Sequence, residues 1–344
     1  MKIHEYDFRL ATEADKDLPW VDYSTLAHIE RCPTAGIVKY IAKKWPYERV
    51  AAVTGSTGSG HAFHLMCAAW NVARMEAIES HGKRLFGELS SYPHVLMLQA
   101  LDQAKAVQGD EATAYALSAL YDASNYVQES NTRSIERIEE AFIRGWLPNQ
   151  QGALWHPPIF AELAFEFVIQ VKYSLGSSAP RELITKYKGR IDKIAVGRTG
   201  LLPIDYKTTS LGLNSSYSAQ FVLTPQLIGY HIALCLHFSD CTISPYGIIE
   251  AVKIPFSKDK QSYMCEEFRA DNIEHFLRFV ITQYQHIENY NNNQDIADTE
   301  MRTMSCNAYF SRCALLDTLC TLESSEKQET LEQFADYEWN PSDA

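Results

Sequence analysis

Two runs of strand-forming residues flank Gly197-Arg-Thr-Gly200, and this hairpin constrains the chain more than any other feature of its 344 residues. One run ends at Val196, the next extends from Leu201 to Lys207, and the glycine-bounded tetrapeptide between them reads as the turn. The two strands carry Gly189-Arg190-Ile191-Asp192 and Ile204-Asp205-Tyr206-Lys207. Asp205 and Lys207 are two apart, so a strand points both to the same face. Two carboxylates and an ammonium converging at a sheet edge equip a chain to hold a divalent cation and orient a water beside it. That is the equipment for metal-assisted hydrolysis of a phosphodiester. The competing reading is a surface salt bridge on a hairpin.

The rest of the chain is ordered around this hairpin. Ser24 reads as an N-cap before a helix from Thr25 to Cys32. From Gly60 to about Trp146, alanine-rich sequence with apolar residues at helical spacing predicts several packed helices. The pattern then changes to strands at Ala161 to Tyr173, Leu183 to Val196, Leu201 to Lys207 and Ile243 to Pro255. Between the last two lies Tyr217 to Phe238, helix-length and apolar with Pro225 inside it, and a final helix is expected from Glu266 to Asn289. Strands and helices in this order predict an α/β core, a mixed sheet flanked by helices with a helical subregion in front. No Pro/Ser-rich linker separates two folding units. The expectation is therefore one domain over 1–320, with the helical subregion at about 60–150 and the core at about 159–292. A cysteine-rich segment at 306–320 and an acidic, flexible tail at 321–344 follow.

A hydrophobic content of 46% supports a large core, and a net charge of −12 argues against a protein that coats polyanions generally. It does not exclude a nuclease, because bound cations and a local basic groove can carry phosphate contacts. No apolar run is long enough to span a bilayer and Met1-Lys-Ile-His-Glu5 is not a signal peptide, so a soluble cytoplasmic protein is expected. Eight cysteines in such a chain are not a disulfide framework. Cys67, Cys235, Cys241 and Cys265 read as core or incidental residues.

With these residues in view, the chain resembles the PD-(D/E)xK nuclease superfamily and, within it, the RecB-like exonucleases of phage and CRISPR-associated type. The signature is carried by Gly189-Arg-Ile-Asp192, Asp205-Tyr206-Lys207 and Gln226-Leu-Ile-Gly-Tyr230. Gly60-His-Ala-Phe-His64 fits the family's upstream Gly-x-x-x-His element. The resemblance implies a restriction-endonuclease-like fold in which Asp192, Asp205, Lys207, Gln226 and Tyr230 form the catalytic set. It also implies that Asp192, Asp205, the Tyr206 carbonyl and His64 bind Mg²⁺ or Mn²⁺, with His61 as the alternative histidine. Glu162 or Glu166 on the preceding strand adds a carboxylate, or both form a solvated strand face. Cys32-Pro33 and the wider-spaced Cys306, Cys313 and Cys320 resemble the thiolates by which some family members hold a [4Fe–4S] cluster. Zinc and plain reduced thiols are the alternatives.

The function so implied is a metal-dependent DNA exonuclease acting on single strands or DNA ends in recombination, repair or replication. The alternatives are a non-catalytic nucleic-acid-binding subunit of the same fold, or a structural metalloprotein with an incidental acidic pair. No nucleotide-binding Gly-x-x-x-x-Gly-Lys-Ser/Thr is present, so a helicase partner would be a separate chain. DNA contacts are expected from Lys186, Lys188 and Arg190, and from Lys39, Lys43 and Lys44 beside Trp45, which suit a single strand if not simply solvated.

Overall fold

The computed structural model describes residues 1–45, 60, 62–72, 75, 135–151, 156, 158–254, 262–293, 315, 319–320, 322 and 324–336. Most of the helical subregion expected at 60–150 lies outside these residues, as do His61, Cys306 and Cys313. The fold is mixed α/β, a seven-stranded mixed sheet flanked by helices. Its strands are β1 Lys2–Leu10, β2 Trp20–Asp22, β4 Pro158–Ser174, β5 Arg181–Gly197, β6 Gly200–Thr209, β7 Tyr246–Lys253 and β8 Tyr263–Arg269. They run in the order β1-β4-β5-β6-β7-β8, with β2 on β5. β3, Lys44–Trp45, pairs separately with β9, Ala335–Asp336. By compactness the chain divides into two units, one comprising 1–53, 164–189 and 272–344, the other 54–163 and 190–271.

In the first unit, β1 lies antiparallel on β4 and β2 runs parallel to β5 at Lys186–Lys188. Phe167, Tyr187 and Phe276 bring their rings to 5.3 and 5.2 Å of one another, and Phe165 stacks beside them. Gly189 belongs to this packing, because a Cβ there would stand 2.6 Å from the Phe165 ring. The first helix, Tyr23–Arg31, is capped by Asp22 rather than Ser24. The Asp22 carboxylate accepts from the Thr25 amide at 2.9 Å and its hydroxyl at 2.7 Å, and a carboxylate satisfies two donors where a serine satisfies one. The last long helix begins at Ile273, not Glu266, because Tyr263–Arg269 is drawn into the sheet as the antiparallel partner of β7. Within the tail, Ser324–Glu332 is helical and Asp336 pairs with Lys44 at 2.7 Å.

In the second unit, the hairpin β5–β6 forms where expected, with Lys193 opposite Ile204 and Gly197 opposite Gly200. β6 and β7 are parallel, with Asp205 opposite Ile249 and Lys207 opposite Ala251. Parallel neighbours need a crossover, and the crossover here is the helix Pro225–His237. The segment expected as one helix from Tyr217 to Phe238 is two, Ser215–Ala219 and Pro225–His237. Pro225 sits in the first turn of the second, where its missing amide and fixed φ cost nothing. The crossover therefore starts its helix at the carboxyl end of β6, beside Asp205 and Lys207.

The core of this unit packs Phe63, Met66, Cys67 and Trp70 from helical residues 62–72 against Phe142, Trp146, Leu202, Tyr206, Ile248 and Val252. Trp146 anchors it, with Trp70 and Tyr206 edge-on at 5.2 and 5.8 Å. Its indole donates to the buried Glu250 carboxylate at 2.7 Å, and Gln150 donates to the same oxygen at 2.9 Å.

Candidate functional site

Alternation along β6 sends Tyr206 into the core and leaves Asp205 and Lys207 on the opposite side. Tyr206 is fully buried and its hydroxyl accepts from Asn71 at 2.8 Å. Asp205 is 1% exposed, and three groups gather on its carboxylate. The Lys207 ammonium stands 2.7 Å from Oδ2, the Gln226 amide donates to Oδ1 at 2.9 Å, and the Tyr230 hydroxyl lies 3.4 Å from the same oxygen. Gln226 also accepts from Lys207 at 3.1 Å and donates to Tyr230 at 2.8 Å. The four-residue spacing of Gln226 and Tyr230 on one helix thus closes a ring of polar contacts around Asp205 and Lys207.

Asp192 reaches this site from β5. The β5–β6 ladder runs no further than Lys193 opposite Ile204, and beyond it the Asp192 Oδ2 accepts the Tyr206 amide at 2.7 Å. A side chain so takes over the role of a backbone acceptor and fixes the carboxylate against β6. His64 faces it, with Nδ1 3.6 Å from Asp192 Oδ1 and its ring edge-on to Tyr206. Gly60, at the start of that helix, passes close to the end of β6, where a Cβ would lie 3.3 Å from the Thr208 hydroxyl.

The glutamates separate. Glu162 lies within the field of Asp192 and His64, its Oε2 2.7 Å from Arg190 Nε and its buried Oε1 without a hydrogen-bond partner. Glu166 instead pairs with Lys186 at 3.0 Å and Lys188 at 3.2 Å. Glu162 holds a left-handed backbone, φ 56°, which interrupts the regular alternation of β4 at that point.

Electrostatics tie the acidic groups together. Burial raises the Asp205 pKa, Lys207 opposes the rise and Asp192 adds to it. Burial also opposes ionisation of Asp192, yet His64, Lys207 and the Tyr206 amide outweigh it and hold this pKa below the usual value. Burial works against protonation of His64, but Asp192 more than offsets it and the pKa rises. Glu162 is pushed up to about 7 by burial and by Asp192, against Arg190 and His64.

Among the described residues, no group of three or more His, Cys, Asp or Glu side chains is arranged to hold a metal ion. The chemistry of the donors fits a hard divalent cation all the same. Carboxylate oxygens, a strand carbonyl and one imidazole are at hand, and the orphaned Glu162 Oε1 is a buried acceptor of the kind such an ion satisfies.

Apart from Lys43, which is exposed, the basic residues expected at DNA are engaged within the protein. Arg190 is on Glu162, and Lys188 is on Glu166 and 5.4 Å from the Trp20 ring. Lys186 is buried and also donates to the Lys16 carbonyl. Lys39 is buried rather than solvated, and burial pushes its pKa down to about 8. Of the expected thiolates, Cys32 is buried at the end of the first helix and Cys320 is half-buried, while Cys306 and Cys313 lie outside the described residues.

Sequence reasoning missed Asn71, Glu250 and Lys193. Asn71 was detectable, since it falls on the same helical phase as Phe63, Cys67 and Trp70 and is a polar residue on an apolar stripe. Lys193 is fully buried with no hydrogen-bond partner for its ammonium, and burial lowers its pKa against the pull of Glu250.

No protein-family model matches the chain, and no curated protein matches it. Among solved structures, the crystal structure of SSO0001 aligns with 17% identity and a TM-score of 0.25, over 48% of this chain and 60% of that one.

Proposed function

We propose that this chain is a metal-dependent deoxyribonuclease of the RecB-like kind, hydrolysing phosphodiester bonds at single strands or DNA ends. The observation that carries the reading is the closed arrangement of Asp205, Lys207, Gln226 and Tyr230, with Asp192 fastened to the Tyr206 amide beside it. A surface salt bridge needs none of this. Asp205 is almost wholly buried beside a half-exposed Lys207, and taking a carboxylate out of water carries a desolvation cost that a surface ion pair does not.

Asp192, Asp205 and Glu162, with the Tyr206 carbonyl and His64, would hold Mg²⁺ or Mn²⁺. Such an ion lowers the pKa of a bound water and offsets charge on a phosphate. The protein's own groups supply the rest. Lys207 directs positive charge to where phosphate oxygens gain negative charge. Gln226 accepts from Lys207 and donates to Asp205, so it fixes both at once. Before a cation binds, His64 is drawn toward its protonated form by Asp192 and limits the negative charge that the carboxylates place on one another; a cation held by its imidazole would displace that proton.

The test is cleavage of end-labelled single- and double-stranded DNA by purified protein with Mg²⁺ or Mn²⁺. Asp205→Ala and Lys207→Ala should each lower the rate about 100-fold or more. An inactive wild-type protein that is folded and loaded with either ion would overturn the enzyme in favour of a non-catalytic DNA-binding subunit.

A further inference from the structure

Between Thr209 at the end of β6 and Pro225 at the start of the crossover helix, residues 210–224 contain no charged side chain. This is unexpected for the rim of a site that handles phosphates, in a protein of net charge −12. The segment is tethered at both ends by the site-bearing elements. Leu211 donates its amide to the Thr209 hydroxyl at 3.0 Å, and Pro225 immediately precedes Gln226. Asn214 caps a short helix by accepting from the Tyr217 amide at 3.0 Å, and Ser218 donates to Glu266 on β8.

Within this frame Tyr217 is half-buried. Its ring meets Phe221 edge-on at 5.4 Å, and Phe221 in turn packs on Phe268. Lys207 and Asp205 both act on the Tyr217 phenol, which places the ring in the field of the site. Val222 is 63% exposed, more than any other large apolar residue among the described ones, and Leu211 is 45% exposed. Leu223 beside Val222 has φ 57°, a left-handed conformation that a leucine adopts only under constraint, and it sets the turn that leads into Pro225.

An aromatic ring buttressed from behind, in a segment with exposed apolar residues and no charged side chain of its own, offers little to the backbone of a duplex. It suits the face of an unpaired base, which stacks on aromatic side chains irrespective of sequence. We propose that residues 210–224 form a base-stacking lip, in which Tyr217 receives an unpaired base of a single DNA strand while its phosphodiester lies at Asp205 and Lys207. The proposal rests on the nuclease reading for the second half of that statement. It goes beyond that reading in assigning single-strand preference to an uncharged rim rather than to lysines and arginines.

Binding measured without hydrolysis tests it. Fluorescein-labelled oligothymidylate and a hairpin duplex of equal length are titrated with the full chain in EDTA and followed by anisotropy. The single strand should bind more tightly than the hairpin. Tyr217→Ala should weaken single-strand binding about tenfold, and Tyr217→Phe should stay within about twofold of wild type. Val222→Asp alters an exposed position and should weaken binding with no loss of thermal stability, which separates a lost lip from a lost fold. A Tyr217→Ala protein that binds within about twofold of wild type overturns the lip, as does a wild-type preference for the hairpin or no binding at all. Adding Mn²⁺ to the same samples distinguishes the two proposals. Cleavage that ignores Tyr217 overturns the lip alone, and Tyr217-dependent binding without cleavage overturns the nuclease alone.

Discussion

Replacing Glu162 with glutamine should make this protein more stable at neutral pH and leave it unchanged in acid. Burial and the neighbouring Asp192 push the Glu162 pKa from its ordinary 4.5 up to about 7. The folded protein therefore holds a proton on Glu162 over a range in which the unfolded chain has already released it. Stability contributed by that proton is complete below pH 4.5, falls as pH rises through the interval, and is gone above about 7. Each pH unit is worth about 1.4 kcal/mol, so the whole interval amounts to about 3 kcal/mol. Glutamine keeps the shape and an oxygen for Arg190 but has no proton to lose. Urea unfolding of both proteins in EDTA at pH 4.5 and pH 8 measures the difference directly. The variant should gain about 3 kcal/mol at pH 8 and little at pH 4.5. Equal gains at both pH values, or a loss at pH 8, would refute the argument that a strained carboxylate stands beside Asp192. Added Mg²⁺ should narrow the gap at pH 8 by stabilising the wild-type protein more than the variant, since the ionised glutamate adds a carboxylate to the ligands that both proteins share.

Three further outcomes follow from other parts of the molecule. Trp146→Phe removes the indole donor to Glu250 and part of a fully buried ring, and should cost about 2–4 kcal/mol in urea unfolding; less than about 1 kcal/mol would mean that Glu250 is not buried as described. Gly36→Ala places a Cβ 2.5 Å from the Ile29 side chain and 2.6 Å from its backbone nitrogen, so a loss of about 2–3 kcal/mol is expected, read as a lower Tm. The thiolate centre expected of Cys32, Cys306, Cys313 and Cys320 predicts iron and sulfide, or zinc, bound stoichiometrically in anaerobically purified protein. Cys32→Ser should release it and lower the Tm, and metal-free wild-type protein would refute the centre.

The parts of the fold legible in the sequence are those set by local chemistry. The β5–β6 hairpin follows from glycines bounding a turn between two strand patterns, and it lies where expected. Strand parity puts Asp205 and Lys207 on one face and helical spacing puts Gln226 and Tyr230 on another, while their meeting with Asp192 is implied by the family resemblance and not by local pattern. What was not legible depends on partners distant in sequence. β1 has an irregular polar pattern, and pairing with β4 is what makes it a strand. Tyr263–Arg269 becomes β8 through its ladder with β7, which no window around it reveals. Glu162 and Glu166 look alike in sequence, and only the cations and carboxylates brought to each by folding tell them apart.

Adjacent residues on β5 face opposite worlds. Asp192 turns toward the acidic cluster, while Lys193 is fully enclosed near Glu250, Cys67 and Cys265. A strand offers no setting between its two sides, so gaining or losing one residue between Gly189 and Val196 would exchange the two. The carboxylate would enter the enclosed side beside Glu250 and the lysine would enter the site, and both errors would occur at once. Over evolutionary time this stretch can drift in composition but hardly in length. Insertions and deletions should instead collect in the surface connections, where a change of length moves no side chain from one face of the sheet to the other.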